Sequence, residues 1–152
     1  MTLLLCLVGL GLSAYLTYVH YTGDAVLSCP DTGRINCAKV TTSAESVLPG
    51  HVPVALAGLL FYLAMTALCS PPAWRSVHRA VPAMRLLGGG AGMVMVLWLV
   101  YAEFVRIGAI CLYCTAVHAT TFALFLALCL AWALAPAHPS PAPASSRSRL
   151  GP

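Results

Sequence analysis

The chain has 152 residues, 60% of them hydrophobic and only 8% charged, against roughly 25% charged and 45–50% apolar in a soluble globular domain, so water is not its main solvent. The net charge of +4 comes from eight basic residues against four acidic ones. The basic residues are scattered and several fall between hydrophobic runs, which argues for membrane orientation and against a nucleic-acid surface.

Hydrophobic runs at about 2–20, 52–69, 86–105 and 110–134 each approach or exceed the ~17–20 residues that cross a bilayer as helix. They predict an all-α fold: an integral-membrane four-helix bundle over residues 1–134, with an extracytoplasmic loop between helices 1 and 2. The first run lacks the basic n-region and the small-x-small cleavage site of a signal peptide, and is read as a helix. The loop after it carries Cys29 and Cys37, with Pro30, Gly33 and Asn36 among the seven residues between them. That polar stretch can bend back and bring the two sulfurs to disulfide distance.

Between the second and third runs lie Arg75, Arg79 and Arg85. Gly88 and Gly92 then give a small-xxx-small spacing in helix 3, read as close helix packing. Glu103, the only acidic residue in a hydrophobic run, comes at that run's outer end beside Arg106 and is expected at the interface. No Asp, Lys or Arg falls in a helix centre, which argues against an ion pathway or transporter. Residues 135–152, rich in Pro, Ala and Ser and carrying Arg147 and Arg149, are expected to be a disordered cytoplasmic tail. No fused thioredoxin-like domain is expected.

Five basic residues, Arg75, Arg79, Arg85, Arg147 and Arg149, fall on one side of this topology, and three, Arg34, Lys39 and Arg106, on the other. The positive-inside rule therefore puts both termini in the cytoplasm of a multi-pass cell-membrane protein and the 21–51 loop outside. Of seven cysteines, Cys29, Cys37, Cys111 and Cys114 then share the outer face. Cys129 lies roughly 27 Å deeper, at 1.5 Å per residue, and Cys6 and Cys69 fall near inner helix ends. Disulfides persist outside the cytosol, so the outer four are the candidates for redox chemistry and the inner three are small buried side chains.

Cys111-Leu112-Tyr113-Cys114 is a C-x-x-C at a helix start, where free N–H groups and the helix dipole stabilise a thiolate. The same spacing also occurs in zinc sites and by chance. Taken alone, the Cys29/Cys37 pair equally fits a structural staple; beside a C-x-x-C on the same face, exchange between the pairs is the better reading. The seven-residue gap between Cys29 and Cys37 does not fit the C-x₂₋₄-C pairs of zinc knuckles, and no metal is expected. His118 follows Cys114 by four residues, on one helical stripe with both cysteines. Its imidazole either serves the thiolate or a bound electron acceptor, or is a helix-end histidine bonded to a neighbour.

A first helix, Cys29-x₇-Cys37, Ser43, Pro53 to Gly58 opening helix 2, and Cys111-Leu-Tyr-Cys114 in helix 4 together resemble the vitamin K epoxide reductase family. The resemblance covers nearly all of the chain except the tail. It implies a four-helix bundle around a quinone of menaquinone, ubiquinone or vitamin K type. It also implies that Cys29 exchanges with a thioredoxin-fold thiol protein, Cys37 passes electrons to Cys111, and Cys114 faces the quinone. Ser43 matches a serine or threonine at the pocket edge, or is a capping or loop hydroxyl. Val54 stands where vertebrate members place an asparagine that contacts the quinone ring, and His118 where they place a tyrosine. These departures favour a bacterial-type role, oxidising a disulfide donor at the expense of membrane quinone and so supporting disulfide formation. The alternatives are a reductase of vitamin K epoxide or quinone for recycling, and a non-catalytic membrane scaffold with a stapled loop.

Overall fold

A computed structural model describes residues 1–23, 29, 32–76, 78 and 80–134. Arg79 and the tail expected at 135–152 lie outside the described residues. Helices dominate: α1 (Thr2–Thr22), α2 (Cys37–Thr41), two short strands β1 (Val47–Leu48) and β2 (Val52–Pro53), α3 (Val54–Leu68), α4 (Pro71–Trp74), α5 (Ala80–Tyr101) and α6 (Leu112–Ala133) follow in order. The small antiparallel ribbon, with Val47 opposite Pro53 and Leu48 opposite Val52, departs from the expected all-α fold. It is a tight hairpin in which Gly50 and His51 take positive φ of 92° and 64°, and it delivers the chain into α3.

Among the described residues three helices are long and apolar enough to cross a membrane: α1, α6 and the helix from Ala80 to Ile107. α3 is equally apolar but has 15 residues, about 22 Å at 1.5 Å per residue, short of the ~30 Å hydrocarbon core. The expectation of four spans is thus met at three by length. α3 packs against α1 and α5, and α6 packs against the same two helices. Leu4, Leu60, Leu87, Val94, Leu126 and Leu130 are left exposed on the helices, an apolar outer surface suited to lipid.

Small residues set the helix spacing. Gly9 of α1 sits directly under the Tyr62 ring, so α1 and α3 approach closely. The Gly88/Gly92 spacing works as expected: a Cβ at Gly88 would lie 2.9 Å from the Met65 sulfur, and one at Gly92 would lie 2.8 Å from the Phe61 ring and 3.1 Å from Thr121. Tyr62, fully buried, joins its hydroxyl to that of Thr121 at 2.7 Å, tying α3 to α6.

At the end of the molecule where α1 begins and α3 finishes, Cys6 and Cys69 are buried with Met65, Leu124 and Leu128. They are the small core side chains expected; Cys129 is only partly buried. Arg85 was expected in the loop, but α5 starts at Ala80 and draws it inside, 5% exposed. Its Nε donates to the Leu68 carbonyl at 2.8 Å and its guanidinium lies 3.8 Å from the Trp74 ring centroid. The last carbonyls of a helix have no partner within it, and a cation at α3's end supplies one.

Candidate functional site

At the other end, α6 begins with Cys111 as its N-cap: the residue is extended, and its sulfur accepts the Cys114 backbone N–H at 3.3 Å. The C-x-x-C spacing thus lets one sulfur satisfy the free amide of the other cysteine. Cys111 precedes the membrane-crossing helix and its thiol is held below the ordinary value. The hydrogen bond from the Cys114 side chain is the main cause, and the backbone N–H groups of Cys114 and Tyr113 add to it, against burial and the Glu103 carboxylate. The N-cap position thus makes the Cys111 thiol easier to ionise than an ordinary cysteine.

The loop pair comes to the same place by a backbone route. Asn36 caps α2 by accepting the Lys39 N–H at 2.8 Å, which sets Cys37 as the first residue of that helix. Cys37 is bonded to Cys29, with Cα atoms 6.0 Å apart. Ile35 and Ile110 form a parallel bridge in which Asn36 N–H donates to the Ile110 carbonyl at 3.1 Å and Ile110 N–H donates to the Arg34 carbonyl at 2.8 Å. The segment leading into Cys37 is thereby fastened to the segment leading into Cys111. Cys37, Val40, Ala109 and Cys111 form one buried group, against which Cys29, Ile107, Tyr113 and Cys114 pack. All four predicted cysteines are brought together.

Between this sulfur cluster and the helices lies a cavity of about 290 Å³, near the small end of the range for ligand pockets. Its walls are mostly apolar, with Leu16, Val96 and Leu99 among them. Each residue expected at a quinone lines it: Ser43, Val54, Cys114 and His118. Cys111 does not; it sits behind Cys114 against Cys37. The Ser43 hydroxyl donates to the Val40 carbonyl at 2.7 Å, so it is a loop hydroxyl at the cavity edge. His118 is 8% exposed, and among the described residues its ring makes no hydrogen bond.

Two features escaped sequence reasoning. The first is Glu103, expected at the interface beside Arg106. Residues Ala102–Ile107 form a π-helical turn continuing α5, and this wider turn rotates Glu103 inward, leaving it 4% exposed on the cavity wall. Arg106 instead binds Glu45 at 2.8 Å. Gly108 then reverses the chain at φ 65°, with Ala109 N–H donating to the Glu103 carbonyl at 3.2 Å. A π turn leaves no mark in hydrophobic periodicity; the signal available was a carboxylate in an apolar run. The second is Tyr62, an aromatic indistinguishable by sequence from any other apolar helix residue, which lines the cavity floor with Thr121.

The family model for the vitamin K epoxide reductase family matches residues 1–129. No curated protein matches the chain. The matched span takes in the loop disulfide, the C-x-x-C, the cavity and all of α6 but its last turn, and the chain belongs to the vitamin K epoxide reductase family.

Proposed function

We propose that this membrane oxidoreductase relays two electrons from the dithiol of a thioredoxin-fold protein, through Cys29 and Cys37 and then Cys111 and Cys114, to a membrane quinone, and so supports disulfide formation. Family membership supports the redox class and the link to quinones. The observation that carries the relay is the division of labour in the C-x-x-C: Cys111 packs with Cys37 while Cys114 opens on the cavity. A pair bridging two such neighbours is what a relay needs and a staple does not.

The exchange steps balance as thiolate attacks on sulfur. A partner thiolate attacks Cys29, releasing Cys37; the partner's second thiolate resolves the mixed disulfide and leaves with a disulfide. The Cys37 thiolate attacks a Cys111–Cys114 disulfide at Cys111, and Cys29 closes onto Cys37, leaving Cys111 and Cys114 reduced. Quinone supplies the two-electron acceptor. The cavity fits it, with apolar walls for a ring and tail and the Cys114 sulfur and His118 ring at the reacting end. For a two-electron couple, about 30 mV corresponds to ~1.4 kcal/mol, so a quinone more oxidising than the C-x-x-C keeps the flow running from partner to membrane.

The orientation belongs to the same reading. A Cys29–Cys37 pair that cycles through a disulfide needs an oxidising compartment, so this reading has the sulfur-bearing end outside and the end with Arg75 and Arg85 in the cytoplasm. The test is anaerobic quinone reduction by detergent-purified protein supplied with a reduced thioredoxin-fold protein, with each outer cysteine changed to Ser in turn. The relay predicts loss with all four variants, and a mixed disulfide on wild-type Cys29 when the thioredoxin-fold protein lacks its second cysteine. Full activity in Cys111→Ser would contradict the relay, and a wild type that reduces no quinone would leave the stapled scaffold. Faster turnover of vitamin K epoxide than of the thioredoxin-fold dithiol would favour the recycling role.

A further inference from the structure

Glu103 is a carboxylic acid placed where the thiol chemistry of the proposed function has to dispose of protons. It is 4% exposed in the outer end of an apolar helix, and it is on the wall of the cavity that Cys114 and His118 also line. The Cys111 backbone N–H faces its carboxylate, and the carboxylate is near enough to act electrostatically on both the Cys111 and Cys114 thiols. Arg106, three residues further along the chain, is paired with Glu45. Keeping a carboxyl group from water costs stability, an ionisable side chain retained in an apolar span is a functional-site candidate by default, and this one lies in the π turn Ala102–Ile107.

We infer that Glu103 is the proton relay between the Cys111/Cys114 pair and the quinone, an assignment that rests on the thiol–quinone reading above. Reduction of the ring needs two electrons and two protons, and the dithiol holds both. Two S–H bonds break, one S–S bond forms between Cys111 and Cys114, and the electron pair passes from sulfur to the ring. Glu103 takes each proton from sulfur in turn and releases it to a ring oxygen, beginning and ending as a carboxylate. The other titratable groups around the cavity are His20 of α1, Glu45, Tyr62 of α3, Cys114 and His118; Lys39 of α2 is exposed. Of these, only Cys114 and His118 lie on α6 with the reacting sulfurs, and a histidine four residues along the helix cannot face the Cys111 amide as Glu103 does.

The test uses the full chain in detergent, with dithiothreitol as reductant and a short-chain ubiquinone as acceptor, for wild type, Glu103→Gln, Glu103→Asp and Cys114→Ser. The relay predicts that Glu103→Gln lowers kcat about 100-fold with KM changed less than threefold, removes the acid limb of the pH–kcat profile, and leaves the rate of Cys29–Cys37 reduction by dithiothreitol unchanged. Glu103→Asp, with a shorter reach, keeps the acid limb and recovers part of kcat. If Glu103→Gln also lost the loop-reduction rate, its fold would be at fault and Glu103→Asp would decide: a kcat and pH profile equal to wild type overturn the relay. A Glu103→Gln enzyme with wild-type kcat and pH profile, while Cys114→Ser is dead, overturns the relay and leaves the thiol–quinone reading standing. A wild type that reduces no quinone overturns both.

Discussion

Ile35 and Ile110 are joined as a parallel bridge, with Ile110 bonded through both its N–H and its carbonyl to the backbone just ahead of Cys37. The two cysteine pairs are thus held by main-chain bonds that no side-chain substitution removes. Ile110→Pro does remove one, the N–H donated to Arg34, and a lost hydrogen bond of this kind is worth about 1 kcal/mol. The variant is expected to keep its helices by circular dichroism while exchange between the pairs, read by rapid acid quench and alkylation, slows at least tenfold. Unchanged exchange would mean the bridge does not set the approach of the sulfurs.

The Cys111 thiol is held below its ordinary value chiefly by the Cys114 side chain. A depressed thiol keeps its charge to lower pH. In a Cys29→Ser/Cys37→Ser background, thiolate absorbance near 240 nm should therefore titrate below the ordinary thiol range. Adding Cys114→Ala should move that titration upward, and adding Glu103→Gln should move it downward, because the Glu103 charge opposes the thiolate. A midpoint indifferent to Cys114 would contradict the side-chain hydrogen bond between the two cysteines.

Two glycines of α1 make a matched pair. Gly9→Ala would push a methyl into the Tyr62 ring, whereas Gly11→Ala meets nothing within 4 Å. Alanine gains up to about 1 kcal/mol over glycine in a helix, and overpacking costs about 1–3 kcal/mol. Gly9→Ala is therefore expected to lower, and Gly11→Ala to raise, the thermal midpoint in detergent. Equal shifts would mean α1 and α3 are not in close contact.

Arg85→Ala removes both the bond to the Leu68 carbonyl and the stacking on Trp74. Charged hydrogen bonds contribute about 1.5–3 kcal/mol, and the thermal midpoint should fall by several degrees, while quinone reduction by folded protein is unchanged because the site lies at the opposite end.

Hydropathy made the long helices readable because an apolar run of twenty residues has few other uses, and it placed the ends of α1 and α6 within two residues of those observed. Spacing and order singled out the four cysteines and His118, and the family resemblance singled out Ser43 and Val54; the four cysteines pack in one group, and Ser43, Val54, Cys114 and His118 line one cavity. Periodicity said nothing of Arg85, since a charged residue at a run's edge fits a loop as well as a helix that needs its last carbonyls capped. Nor did it register the π turn that swings Glu103 inward, which depends on a hydrogen-bond shift of one residue. The 47–53 ribbon was hidden by its length, two residues a strand.

The most direct measurement of the relay is a single oxidation of fully reduced protein by stoichiometric quinone, quenched over time and mapped for disulfides by mass spectrometry. The account predicts that Cys111–Cys114 appears first and Cys29–Cys37 follows, and that in Cys111→Ser the loop pair stays reduced. Oxidation of Cys29 and Cys37 at the wild-type rate in Cys111→Ser would show that electrons reach the quinone without passing through the C-x-x-C, contradicting the relay.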